Sequence, residues 1–265
     1  MFKHFPAEFV YQLFALIFSV ILVHGVYVTV VRPNAEAHLE QQRALVAKQP
    51  DAEVESSLYV ILKDYEQESE LILMLWAMAI LGYKWTVVLR ERGLLEQELL
   101  PLTEGIKILP EDARRYARPL EALQPALRNL LLPRAVFQSL TRFETTHSVQ
   151  DAAAATSAVC QNEGERLDSE LAQIRYITWA IPSIGFIGTV RGIGNAMALA
   201  HRAVQGDISG VTENLGTAFN STLVALLLGI VLMFLVHQLQ LAQERLALDT
   251  ETYVNDRLIR HLRPG

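Results

Sequence analysis

Cysteine is almost missing from this 265-residue chain, where Cys160 stands alone. One thiol excludes an internal disulfide framework and an all-cysteine structural zinc site. Basic excess is missing too. Twenty-three Lys and Arg against 29 Asp and Glu leave a net charge of -6, whereas a nucleic-acid binder carries a basic footprint. Charge of either sign is sparse, at 20% against about 25% for an ordinary soluble domain. No phosphate-binding loop is present. The run Gly192-Ile193-Gly194-Asn195-Ala196-Met197 starts as a dinucleotide fingerprint does, but it ends in Met and follows no strand. None of the seven histidines has metal-ligand spacing. These absences leave no enzyme motif and no cofactor or metal site to assign.

What the chain does have is apolar length. Hydrophobic residues make up 51% and mean hydropathy is +0.22, so part of this surface is expected to face lipid. Four windows can span a bilayer. Phe9 to Val31 has no charge, Leu71 to Leu89 only Lys84, Thr178 to Ala200 only Arg191, and Leu215 to Val236 none. Each reaches roughly 30 Å at 1.5 Å per residue. The first is read as a retained anchor. It is longer than a signal-peptide core, and Lys3 is its only firm flanking charge.

The expected fold class is an all-α integral membrane protein with four transmembrane helices and long cytoplasmic helical extensions. It divides into a stub and first span (1–31), a short outer segment (32–70), a second span (71–89), an inner helical segment (90–176), a channel-like region holding the last two spans (177–241) and a tail helix (242–265). The positive-inside rule puts the inner segment and both termini in the cytoplasm. Lys84 then sits near the inner end of its span and snorkels to the headgroups, with Trp85 and Trp179 as interface aromatics. Pro101, Pro110, Pro119, Pro125 and Pro133 limit the first half of the inner segment to short helices. From Ser139 one long helix is expected to run into the third span. The tail carries an apolar stripe of Leu239, Leu246, Tyr253, Val254, Leu258 and Leu262, which needs cover.

Chemistry concentrates in the last two spans. On a helix, Gly185, Gly188, Thr189, Gly192 and Ala196 fall within about 100° of one another. Gly188 and Gly192 are a small-xxx-small pair that lets backbones approach closely in lipid. Thr217, Asn220, Ser221 and Thr222 cluster near one end of the fourth span and should face protein or a hydrated pore. His24 is the one histidine well inside a span, and helix packing is its expected role. Arg191 projects about 160° from Thr189 and is an unexplained buried charge, costing about 2.5–3.5 kcal/mol near mid-membrane. No carboxylate lies inside the four windows, and Asp207 and Glu213 fall in the outer turn. Any proton-carrying acid is therefore expected from another chain.

The run Pro182-Ser183-Ile184-Gly185-Phe186-Ile187-Gly188-Thr189-Val190-Arg191-Gly192-Ile193-Gly194-Asn195, with Thr217-Ala218-Phe219-Asn220-Ser221-Thr222, resembles the MotA/TolQ/ExbB proton channel family over roughly Arg175 to Leu241. The resemblance implies an inner-membrane motor subunit assembled as a homopentameric ring. The ring would surround an ExbD/TolR/MotB-like single-span partner whose membrane aspartate carries the ion. It also implies that Thr189 and Thr222 line the ion pathway, with Pro182 at the base of the pore helix. Three features depart from the pattern. Thr217 stands where ExbB-like and TolQ-like members carry a glutamate, and Arg191 where they often carry a bulky aromatic. Four spans match the flagellar stator subunit rather than TolQ. A non-conducting scaffold that organises an envelope complex is the alternative.

Overall fold

A computed structural model describes residues 7–48, 57–97, 99 and 106–264. Lys3 and Pro101 lie outside them. Among the described residues the regular structure is helical, and the only β-type pairing is an isolated bridge between Ile108 and Leu262. The chain divides into two compact units, Met1–Gly82 with Gln173–Val236 and Tyr83–Ala172 with His237–Gly265.

The first unit begins with α1 (Ala7–Val26), which passes through a π-helical turn, Tyr27–Val31, into α2 (Arg32–Lys48). Pro33 explains the widened turn. Proline has no N–H to donate back along the helix, and its ring crowds the preceding turn. Tyr27, Val31 and Ala35 are buried on one side of this turn. A short helix, α3 (Leu58–Leu62), leads into α4 (Tyr65–Leu95), and Gln67 Nε2 donates to Ile61 O across the junction at 3.1 Å. Trp76 Nε1 donates to Gln12 O at 3.0 Å and Tyr11 Oη to Ala79 O at 3.1 Å, tying α1 to α4.

Among the described residues, three helical stretches are long and apolar enough to cross a membrane: Glu8–Leu45, Tyr65–Leu95 and Ser209–His261. The expected third span lies in α9 (Ala172–Ala198), which does not reach that apolarity. Pro182, Ser183, four glycines, Thr189, Arg191 and Asn195 dilute its isoleucines and valines. At 27 residues it is about 40 Å long, enough to cross. Phe14, Phe18 and Ile21 on α1 are exposed, as are Phe186, Ile187 and Val190 on α9. So large an apolar surface suits lipid or partner helices, not water. After α9, a short α10 (Ala200–Val204) and a turn with Gly206 at φ 94° lead into α11 (Ser209–Arg257). Asp207 caps the start of α11 by accepting from Ser209 N at 3.2 Å.

The second unit contains α5 (Pro110–Glu121), α6 (Pro125–Arg128), α7 (Leu131–Thr146) and α8 (Val149–Glu170). Its core is built from Ile108, Leu132, Val136, Leu140 and Phe143 together with Leu246, Val254, Leu258 and Leu262 of the tail. Those tail residues are part of the apolar stripe read from the sequence, here fully covered. The single helix expected from Ser139 does not form. His147 adopts a left-handed conformation at φ 55°, and Ser148 restarts the chain by accepting from Asp151 N at 3.2 Å. Leu171 then separates α8 from α9.

Lys84 does not snorkel. It is 4% exposed, and its Nζ pairs at 2.8 Å with the half-buried Glu170 of α8, so its charge is met within the protein. Cys160 is buried, and burial, with Glu251 adding to it, pushes the thiol up to about 11. It is an inert core group.

Glu163, buried on α8, binds Arg134 at 2.6 Å and also Arg166. Burial works to raise its carboxyl, but hydrogen bonds from Arg166 and Arg134 and their charges outweigh that, holding it below the ordinary 4.5. A carboxylate depressed by folding stabilises the fold above its unfolded pKa, and the contribution fades as pH falls through the folded value. Acid titration of thermal unfolding in detergent is expected to show destabilisation starting below about 4.5. Glu163→Gln should be less stable at neutral pH and flatter in acid. An unchanged acid profile would remove Glu163 from that role.

Candidate functional site

Within the first unit, α9 and the first half of α11 pack through glycine. A Cβ placed on Gly185 would lie 2.3 Å from Ala225 Cβ and 3.1 Å from Ser221 O. On Gly188 it would lie 2.1 Å from Ser221 Oγ, and on Gly192 2.7 Å from Ala218 Cβ and 2.8 Å from Asn214 O. No side chain fits at these three positions. Pro182 is accommodated inside α9 without ending it, and its Cγ would stand 3.3 Å from a Cβ on Gly229 of α11.

This close approach brings Thr189 and Thr222 together. Their hydroxyl oxygens are hydrogen-bonded to each other. Thr189 Oγ1 also lies 3.0 Å from Ala218 O, and Thr222 Oγ1 3.1 Å from Gly185 O. Each hydroxyl has one proton and two lone pairs, so the pair can switch which oxygen donates without either becoming charged. Ser221, next to them, is fully buried with an unpartnered Oγ. Thr217 and Asn220 line a cavity of about 660 Å³ shared with Arg43, Lys63, Ser209 and Glu213.

Arg191 is neither buried nor unexplained. Its side chain is 42% exposed, and a guanidinium nitrogen lies 2.7 Å from Glu66 Oε2. The four apolar windows hold no carboxylate, but acids flank the second of them. The apolar window begins at Leu71, but α4 begins at Tyr65, so Glu66, Glu68 and Glu70 occupy its first turns and are buried. Glu68 is held by His24 Nδ1 at 2.6 Å and by Arg32, whose guanidinium also stacks 4.5 Å from the Tyr65 ring centroid. His24 is therefore hydrogen-bonded to Glu68, not merely packed.

Glu66 is the functional neighbour that reading the chain misses. Its Cγ would stand 3.0 Å from a Cβ on Gly188, beside Ser221. The available signal was Arg191 itself, whose need for a carboxylate pointed to the acids just before the second apolar window.

Membrane-length apolar helices, exposed apolar faces and a helix pair closed by glycine define an all-helical, multi-pass membrane protein. Residues 128–252 match the model of the MotA/TolQ/ExbB proton channel family. The match begins in α6 and ends in α11, and so extends well beyond the stretch of roughly Arg175 to Leu241 on which the sequence resemblance rests. No curated protein and no solved structure matches the chain.

Proposed function

We propose that this chain forms the wall of a proton channel that drives a motor. Proton-motive force would be converted to work through an ExbD/TolR/MotB-like single-span partner carrying a membrane aspartate. The observation that carries this reading is the hydrogen-bonded Thr189–Thr222 pair, half-buried between two helices that glycine allows to touch. An uncharged hydroxyl pair can accept from a protonated carboxyl and donate to a charged one, so it serves a carboxylate in either state. The low apolarity of α9 fits a third span that faces protein and water instead of lipid. Pro182, Thr217, Asn220 and Ser221 complete the wall, and Gly185, Gly188 and Gly192 hold its helices together. The ring would hold five copies, with both termini in the cytoplasm.

Affinity purification of the full chain from its native membrane tests this. A small single-span protein with an aspartate in its span is expected to co-purify, and the complex should be larger than a monomer. A monomer without such a protein would overturn the reading. What the motor moves depends on the domain beyond the partner's span, and identifying the partner reads that directly.

A further inference from the structure

Glu70 follows Glu66 by four residues on α4, on the same face of the helix. It is fully buried, and neither carboxylate oxygen has a hydrogen-bond or ionic partner among the described residues. The cations of the surrounding elements are engaged elsewhere. Arg191 of α9 holds Glu66, while His24 of α1 and Arg32 at the start of α2 contact Glu68. Lys63 lies 3.7 Å from Glu213, and Asp64 faces Lys63, Arg191 and Thr217. Tyr27, on the π turn, is near both Glu68 and Glu70, and its hydroxyl is buried without a partner. A negative charge on Glu70 would therefore stand uncompensated by any described side chain in a buried site, next to Glu66.

A second observation points the same way. Ser221 Oγ, buried and unpartnered on α11, and Glu66 Cγ both stand within 3.0 Å of the point a Gly188 Cβ would occupy. The space that glycine leaves is thus shared by a free hydroxyl and the acid pair's first member, one residue from Thr189. Tyr27, Glu70 and Ser221 are unpartnered polar groups of one unit, and Glu70 and Ser221 each neighbour Glu66.

We propose that Glu70 is a proton-binding site of this chain, exchanging its proton with the pathway at Thr189–Thr222 beside the Glu66–Arg191 pair. The pathway half of this rests on the channel reading above. The site would do what the glutamate missing at Thr217 does elsewhere, but from a different helix. Only an O–H bond forms and breaks. Glu70 takes a proton from water and is neutral when loaded, and it returns the proton to water or to the partner's carboxylate. Glu66 keeps its ion pair with Arg191.

Infrared spectroscopy of the purified full chain tests the binding half without needing a motor. Wild type should show a protonated-carboxyl band at neutral pH that Glu70→Gln removes, that Glu66→Gln leaves in place, and that Glu70→Asp shifts. No difference between wild type and Glu70→Gln overturns the proposal. Proton flux through the reconstituted complex with its partner tests the pathway half. Glu70→Gln should lower flux by about 10²-fold, as loss of a positioned acid–base group does, with Glu70→Asp restoring part of it and shifting its pH profile. Unchanged flux in Glu70→Gln, where Thr189→Val abolishes it, overturns Glu70 as part of the pathway and leaves the channel reading standing. A wild-type complex that carries no flux overturns the channel reading, while the infrared band still decides whether Glu70 binds a proton.

Discussion

Thr189→Val is expected to abolish proton flux through the reconstituted complex and leave its assembly intact. Valine replaces the hydroxyl with a methyl of similar size, so the volume between α9 and α11 stays filled. The losses are the bond to Thr222 and the one reaching Ala218 O at 3.0 Å. Ala218 O keeps its helical partner, and Thr222 can still donate to Gly185 O at 3.1 Å. No buried donor is orphaned, and the structural cost is about 1 kcal/mol. The functional cost is larger, because a methyl cannot accept from or donate to a passing carboxyl. Thr189→Ser keeps the hydroxyl and should retain flux. Elution with the partner checks assembly, and vesicle acidification checks flux. Full flux in the valine variant would remove Thr189 from the pathway.

Gly185→Ala is expected to fail earlier, at packing. The added methyl would overlap Ala225 Cβ at 2.3 Å, and behind it stand Ser221 O at 3.1 Å and Thr222 Cα at 3.3 Å. Two of these three atoms are backbone, so the helices must part instead of a side chain turning aside. Overpacking of this kind costs about 1–3 kcal/mol, and parting α9 from α11 also breaks the threonine pair. Lower thermal stability in detergent and lost flux should appear together. Adding Ala225→Gly removes the nearest atom and should recover part of the stability. If Gly185→Ala alone matches wild type in both measurements, the close contact does not exist in the working protein.

Much of the channel-like region was legible in the chain because glycine and threonine at helical spacing have few uses inside a membrane. Gly185, Gly188 and Gly192 predicted a close helix contact, and α11 is the helix they meet. Thr189 and Thr222 were chosen by resemblance to a family whose model matches residues 128–252, and they share a hydrogen bond. Lys84 and Arg191 were misjudged for one common reason. Each was weighed against the apolar residues around it in sequence, while its partner, Glu170 or Glu66, lies 86 or 125 residues away. The break at His147 went unread because a single left-handed residue leaves little trace in hydropathy.

Composition and periodicity pointed to a helical membrane protein and set glycines and hydroxyl side chains on neighbouring faces of its last two expected spans. These are properties of local sequence, since the hydropathy and spacing of a helix are set within a few turns. Tertiary structure alone decided where the charges go. Helix α4 starts six residues before its apolar run, so the acids Glu66, Glu68 and Glu70 are carried into the first unit by the helix that anchors it. Burial makes a carboxylate depend on whatever stands opposite it. The pairing of Glu66 with Arg191 and the isolation of Glu70 therefore follow from packing, which no window of sequence contains.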